Sequence, residues 1–183
     1  EISHFCDKDT GVHLGLNGEI ASGYWELYRP SNDMLICIAE GLYHAKYQQK
    51  ILPTEDILTL RFVLSGNYSI TVDKVNKLEI PQASASIIYA KKGREFELSI
   101  DEGSHQSTVT VHIKPESFYD MFDIVSSKLP SYLTDILFDR KISRQLYNFP
   151  LSAGMMNIIL DLLRMRFTGA RRRLFTEAKT SEL

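Results

Sequence analysis

The spacing of the apolar residues changes near Ile113, and this change constrains the fold more than any other feature of the sequence. In residues 58–64, Leu and Phe occupy every second position, which is typical of a strand with one buried face. Beyond Pro115, apolar residues recur at intervals of three and four, which is typical of an amphipathic helix that begins at this proline. The chain is therefore predicted to be mostly β, with α-helices following.

Short runs rich in β-branched and aromatic residues fill the first part of the chain, and turn-forming segments such as 30–33, 65–67 and 101–103 separate them. About seven strands at this spacing favour a sandwich or a small barrel. The predicted strands cover residues 24–29, 34–39, 58–64, 68–72, 85–90, 96–100 and 108–113.

The second part is predicted to hold two further helices after a break at Pro130 and a short apolar piece at 132–138. Ser152 is the predicted N-cap of the first, which Gly169 is predicted to end, and residues 170–183 continue as the second. We therefore divide the chain into a β domain at 1–113 and a helical region at 114–183.

The charge is nearly balanced, with 21 basic and 23 acidic residues, so the overall field does not favour nucleic acid or an acidic membrane. There is no long apolar segment or secretory leader, and two cysteines are too few for a disulfide framework. We expect free thiols and a cytoplasmic location. Because the chain starts at Glu1 and stops at Leu183 within a predicted helix, we expect it to be a fragment of a longer protein.

Five arginines and no acid lie in residues 164–173, as Arg164, Arg166, Arg171, Arg172 and Arg173. Two interpretations stay open for this cluster: a basic patch near nucleic acid, or a solvated helix face beside a linker.

The residues give little support for catalysis. Metal sites in small barrels typically use a His-x-His pair with a nearby carboxylate, because alternate strand positions face one cavity. No two of the five histidines have this spacing (His4, His13, His44, His105 and His112). No Gly-x-Ser-x-Gly motif occurs either. We predict no catalytic residue, metal or cofactor, and hence a protein that is not an enzyme.

Aromatic and cationic side chains are frequent in the β part, and such residues suit the wall of a cavity that holds an organic ligand. Arg61, in the middle of a strand, could meet a ligand carboxylate or phenolate. The alternative is that the rings fill the core and Arg61 extends to solvent. The candidate ligand-binding residues are Trp25, Tyr28, Arg29, Tyr43, His44, Arg61, Phe62 and Tyr89.

Six segments of the chain carry a family pattern: LRFVLSG at 60–66, IP at 80–81, SIIYA at 86–90, PLS at 150–152, LDLL at 160–163 and GARRRLFTEAKTSEL at 169–183. Together they resemble the amino-terminal half of AraC-type transcriptional regulators, in particular the branch of pyochelin-responsive siderophore regulators.

The resemblance implies a cupin-like β-barrel or sandwich that binds a small organic effector, followed by helices that form a homodimer. It also implies a carboxy-terminal pair of helix-turn-helix motifs, absent here, through which alone the protein would contact promoter DNA. A ferric siderophore, a fatty acid and an aromatic acid are all compatible effectors. No membrane partner is expected.

Within this interpretation, Met155, Ile159, Leu162 and Met165 are the candidates for the dimer-facing side of the helix after Ser152. The alternative is that this whole apolar stripe packs on the chain's own β domain. Two other functions also stay open: a metal-dependent cupin enzyme, such as an isomerase or dioxygenase, and an interaction platform without an effector.

Overall fold

The computed structural model describes residues 2–7, 11–72, 76–122, 134 and 146–183. Twelve strands lie within these residues: β1 (Ile2–Asp7), β2 (Gly11–Asn17), β3 (Ala21–Ser31), β4 (Met34–Tyr43), β5 (Tyr47–Ile51), β6 (Ile57–Ser65), β7 (Tyr68–Val72), β8 (Asn76–Ile80), β9 (Ser84–Ala90), β10 (Phe96–Ile100), β11 (His105–Ile113) and β12 (Leu146–Pro150). The described residues include the helices α1 (Pro115–Phe122), α2 (Ala153–Arg164) and α3 (Gly169–Ser181).

The strands form two antiparallel sheets that pack face to face. The larger sheet has the order β1-β2-β3-β4-β11-β6-β9-β12, and the smaller one has the order β5-β10-β7-β8. Neither order returns to its first strand, so the described strands form a sandwich and not a closed barrel. All seven predicted strands are present; β1, β2, β5, β8 and β12 were not predicted.

Both faces of the larger sheet are covered, because successive side chains of a strand point to opposite sides. On the inner face, Val63 and Ile88 pack against Ile70 and Leu98 of the smaller sheet. The outer face carries a second apolar cluster, which includes Phe62 and meets the helices. The two faces therefore hold separate cores, one between the sheets and one under the helices.

Helix α2 lies on this outer face. Ser152 caps it as predicted, since the Ser152 hydroxyl accepts a hydrogen bond from the backbone N–H of Met155 at 3.2 Å. Ile159 and Leu162 have no exposed surface and belong to the outer cluster with Ile36 and Val109. Burial of an aliphatic side chain of this size contributes about 1.5–3 kcal/mol, so α2 is firmly held on the sheet.

Gly169 does not end α2, contrary to the prediction. The helix stops at Arg164 because Met165 takes an extended conformation, with φ −68° and ψ 128°. Gly169 is instead the first residue of α3, with φ +61°, a left-handed conformation that glycine adopts without strain.

The segment predicted to be helical also contributes to the sheet. Strand β12 pairs with β9 at the edge of the larger sheet, with Leu146 opposite Ile88. The division at residue 113 stays a prediction. Pro130, Val125 and the apolar piece at 132–138, apart from Thr134, lie outside the described residues. None of the helices described here is long and apolar enough to cross a membrane.

Candidate ligand-binding site between the sheets

A cavity of about 540 Å³ lies between the two sheets. Strand β4 forms its floor, where the small side chains of Cys37 and Ala39 leave the space open.

 Both Cys37 and Ala39 line the cavity. Leu98 and Ile100 of β10 face them from the smaller sheet. A cavity of this volume falls in the range of pockets that hold small organic molecules.

The side chains around the cavity change from apolar to polar across the larger sheet. One row in register runs Leu27, Cys37, Thr110 and Arg61 across β3, β4, β11 and β6. These four side chains all line the cavity. Along this row the β3 position is apolar, the β4 position is small, and the β11 and β6 positions are polar.

Arg61 points into this space from the middle of β6. Its guanidinium carbon lies 4.2 Å from the centroid of the Tyr68 ring, a cation–π contact. The Arg61 Nε atom is buried and has no hydrogen-bond partner. Arg61 thus brings a positive charge to the cavity wall. It does not extend to bulk solvent, which was the alternative.

His112 and Cys37, near Arg61, are both uncharged at neutral pH. Burial, and secondarily the Arg61 charge, lowers the pKa of His112 to about 4. Its Nδ1 atom lies 2.9 Å from the Thr59 hydroxyl. Burial raises the pKa of the Cys37 thiol to about 11, although the Arg61 charge opposes this. Cys37 is a free thiol, as predicted.

Charged residues form one rim of the cavity, where the wall meets solvent. Lys114 Nζ lies 2.9 Å from Asp33 Oδ1 and 3.4 Å from Glu55 Oε2. The Ser117 hydroxyl, in α1, donates to Asp33 Oδ2 at 3.1 Å. Hydrogen bonds from Lys114 and Ser117 lower the pKa of the Asp33 carboxyl. This rim cluster joins the start of α1 to the cavity.

The structure brings four of the eight predicted ligand-binding residues together. Trp25, Arg29, Tyr43 and Arg61 all line the cavity. Tyr43 is buried, and its ring centroid lies 5.6 Å from that of Tyr47, which also lines the cavity. Burial raises the pKa of the Tyr43 hydroxyl.

The other four predicted residues do not line the cavity, and strand alternation is the reason for the three that lie within strands. Tyr28 and Phe62 neighbour Arg29 and Arg61 in sequence and therefore face the outer side, where both join the cluster under the helices. Tyr89 packs with Leu58 and Ile113, and its hydroxyl donates to Asp56 at 2.7 Å. His44 is exposed, with Nε2 2.9 Å from the Ser22 hydroxyl.

The polar wall that β11 contributes was not predicted from the sequence. Thr108, Thr110 and His112 alternate along this strand and line the cavity together. Their shared parity along the predicted strand was the available signal, and Thr110 lies directly opposite Arg61 on β6. Leu14 on β2 was missed because β2 itself was not predicted.

Two of the four candidate dimer residues are fully buried, and two are not. Ile159 and Leu162 pack on the chain's own sheet, as in the alternative that the apolar stripe covers the β domain. A side chain with no exposed surface cannot meet a partner without moving. Met155 and Met165 are partly exposed.

Arg172, one of the five clustered arginines, is a buried link between α3 and the sheet. Its Nη2 atom donates to Glu26 Oε2 at 2.6 Å and to the Leu162 carbonyl at 2.6 Å, and its Nε donates to Glu26 Oε2 at 3.1 Å. The Tyr28 hydroxyl donates to the same carboxylate oxygen at 3.1 Å. Arg173 pairs with Glu177 on the surface. A solvated basic face therefore does not describe the whole cluster.

Among the described residues, no group of three or more His, Cys, Asp or Glu side chains is placed to hold a metal ion.

Solved structures that match part of this chain include the following three. Apo ToxT K231A from Vibrio cholerae matches with a TM-score of 0.51 and 10% identity, over 85% of this chain and 55% of that one. The cupin domain of Schizosaccharomyces pombe Cnp3 matches with a TM-score of 0.42 and 11% identity, over 61% of this chain and 76% of that one. The cupin_2 domain of an XRE family transcriptional regulator from Enterobacter cloacae matches with a TM-score of 0.40 and 8% identity, over 50% of this chain and 95% of that one.

The predicted fold class, a mostly β cupin-like sandwich followed by helices, is confirmed by the two antiparallel sheets and the helices that follow them. No curated protein matches the chain. The family model described as the regulatory protein PchR N-terminal domain matches residues 22–183. The chain belongs to this family, and it is an amino-terminal regulatory region of the AraC type, as the resemblance implied.

Proposed function

We propose that this chain is the sensing part of a transcription regulator and binds a small organic effector in the cavity between its sheets. The observation that carries the proposal is the cavity itself, about 540 Å³ in volume and lined by Trp25, Tyr43 and Arg61. An interaction platform without an effector would be expected to fill this space with side chains. The family relationship supports a regulatory role rather than an enzymatic one.

Binding in the cavity can influence the helices because both contact the same strands. On β3, Trp25 lines the cavity while the next residue, Glu26, holds Arg172 of α3. On β6, Arg61 lines the cavity while Phe62 packs in the cluster with α2. An effector that favours one arrangement of these strands would shift the population of helix positions, and a coupling of about 1–3 kcal/mol gives a 5- to 150-fold response.

The proposal is tested by filling the cavity from its floor. Ala39→Phe places a ring where the wild-type side chain leaves space, and we expect it to prevent binding while the fold is kept. The matched control is Ala153→Phe, on the exposed first turn of α2. Native mass spectrometry of both variants and the wild type, each purified from a bacterial host and mixed with host extract, measures the bound compound. A compound retained equally by Ala39→Phe would contradict the cavity as the site.

We also propose that the chain forms a homodimer through its helices. An apolar patch is exposed there: Leu174 is 65% exposed on α3, and Phe167, 46% exposed, packs edge-on against Phe175. Partly exposed Met165 lies two residues before Phe167. This patch replaces Ile159 and Leu162 as the proposed contact.

Sedimentation velocity tests this contact with Leu174→Glu, for which we expect a loss of dimer and an unchanged fold. Leu52→Glu is the matched control, because Leu52 is 63% exposed and lies just beyond β5 in the other part of the chain. If both variants sediment like the wild type, the helical patch is not the interface.

The remaining parts of the proposal rest on the family. A helix-turn-helix domain outside residues 1–183 would contact promoter DNA. Because a bacterial promoter lies in the cytoplasm, we propose that the protein acts there. A ferric siderophore, a fatty acid and an aromatic acid remain the candidate effectors.

A further inference from the structure

Three cations and two acids line the cavity. Arg29 is exposed to solvent, and Lys114 pairs with both acids, Asp33 and Glu55, at the rim. Arg61 has no ion pair with any residue of the described part of the chain, and its Nε has no hydrogen-bond partner. Partly buried charges in proteins are normally paired, because their transfer from water is costly.

The groups that surround Arg61 do not supply a negative charge. Tyr68 offers only its ring face, and Thr110 lies directly opposite on β11. His112 is neutral at pH 7, and the Cys37 thiol is protonated. The wall around Arg61 therefore suits an anionic group that comes from outside the chain.

The far side of the cavity suits an apolar body. Leu14, Trp25 and Leu27 line it on β2 and β3. Three strand spacings separate β3 from β6, which is about 14 Å at about 4.8 Å each. The small side chains of Cys37 and Ala39 lie between the two ends and leave room for a molecule that reaches both.

We infer that the ligand of this cavity is an amphipathic anion, with a carboxylate, sulfonate or phenolate group against Arg61 and an apolar, preferably aromatic, body against Trp25. The inference rests on the proposed function and adds the ligand's chemical class. Arg61 is then the residue that sets specificity for charge.

Two commercial fluorescent probes test charge alone. 8-Anilinonaphthalene-1-sulfonate and N-phenyl-1-naphthylamine share one aromatic skeleton, and only the first carries an anion. Trp25 is the single tryptophan of the chain and lines the cavity, so energy transfer from Trp25 to either probe reports binding at this place.

We expect the wild type to bind both probes and Ala39→Phe to bind neither. Arg61→Met should weaken the sulfonate probe about tenfold or more, the effect of losing a charged hydrogen bond, and change the neutral probe by less than about twofold. Arg61→Lys should bind the sulfonate probe more tightly than Arg61→Met does. That result would assign the loss of affinity in Arg61→Met to the missing charge and not to a change in the fold. Arg171→Met, exposed on α3, is the control and should bind both probes like the wild type.

The outcomes separate the two proposals. Suppose that both probes bind and that Ala39→Phe abolishes their binding. If Arg61→Met then changes the affinity of the two probes by the same factor, or leaves both unchanged, the cavity binds ligands but the anionic class is wrong. If neither probe transfers energy from Trp25, or Ala39→Phe changes nothing, the cavity is not a binding site and the proposed function fails together with this inference.

Discussion

The buried pair of Arg172 and Glu26 should hold α3 on the sheet, and its removal gives a quantitative test of how the helices are attached. The side chains are 5% and 18% exposed, and two of the Arg172 nitrogens bind one carboxylate oxygen. Burial alone would lower the pKa of Arg172, but the hydrogen bonds to Glu26 raise it overall. Loss of one partner from such a pair typically costs about 3–5 kcal/mol, because it leaves an uncompensated buried charge.

We therefore expect Arg172→Met and Glu26→Leu each to lower the free energy of unfolding by about 3–5 kcal/mol. The double variant replaces the pair with apolar side chains, and it should cost at least about 1 kcal/mol less than the sum of the single costs. Urea unfolding measures these energies, and hydrogen exchange of the α3 amides shows whether the loss is local.

The surface pair Arg173 and Glu177, with side chains 42% and 29% exposed on the same helix, is the control. Arg173→Met and Glu177→Leu should each change stability by less than about 0.5 kcal/mol. Two results would refute the reasoning that Arg172 and Glu26 together stabilise the docked helix. Either the stability costs of the buried pair are strictly additive, or the single variants cost as little as those of the surface pair.

Three further predictions follow from the buried groups. The pKa of His112 is about 4 in the folded protein and about 6.5 in the unfolded protein. Because the unfolded state binds more protons between these pH values, the free energy of unfolding should fall as the pH drops through this window, by at most about 3 kcal/mol. Urea midpoints at pH 7 and pH 4.5 measure this, and His112→Gln should flatten the dependence; an equal slope would assign it to other groups. Leu162→Ala should cost about 2–5 kcal/mol in urea unfolding, because Leu162 is fully buried; a stable variant that only loses self-association would place Leu162 at an interface instead. In a Cys6→Ser background, iodoacetamide should modify Cys37 far more slowly in the folded than in the urea-unfolded protein at pH 8, because its pKa is about 11 in the fold; equal rates would contradict a buried, protonated thiol.

Residue type alone predicted eight ligand-binding residues, of which four line the cavity and four lie elsewhere. Residue type carries no information about the parity of a position along its strand. Arg61 and Phe62 cannot both face one cavity, because neighbouring residues of a strand point to opposite sides. The same rule separates Arg29 from Tyr28.

Other features of the site had no local signal. Strand β12 lies far along the chain from its partner β9, and its pairing depends on how the intervening segment returns to the sheet. Arg172 lies among four other arginines, and nothing in that run distinguishes the one that reaches Glu26, 146 residues earlier. Contacts of this range exist only once the chain has folded.

The sequence alone determined that a strand-rich part precedes a mainly helical one, the cap at Ser152 and the family, because periodicity and capping depend on residues a few positions apart. Tertiary structure decided that the sandwich stays open, that a cavity lies on one face of the larger sheet and the helices on the other, and that Arg61 faces the cavity without an acid beside it. These properties arise from the packing of distant strands, which sets the space between side chains and the charges that meet there.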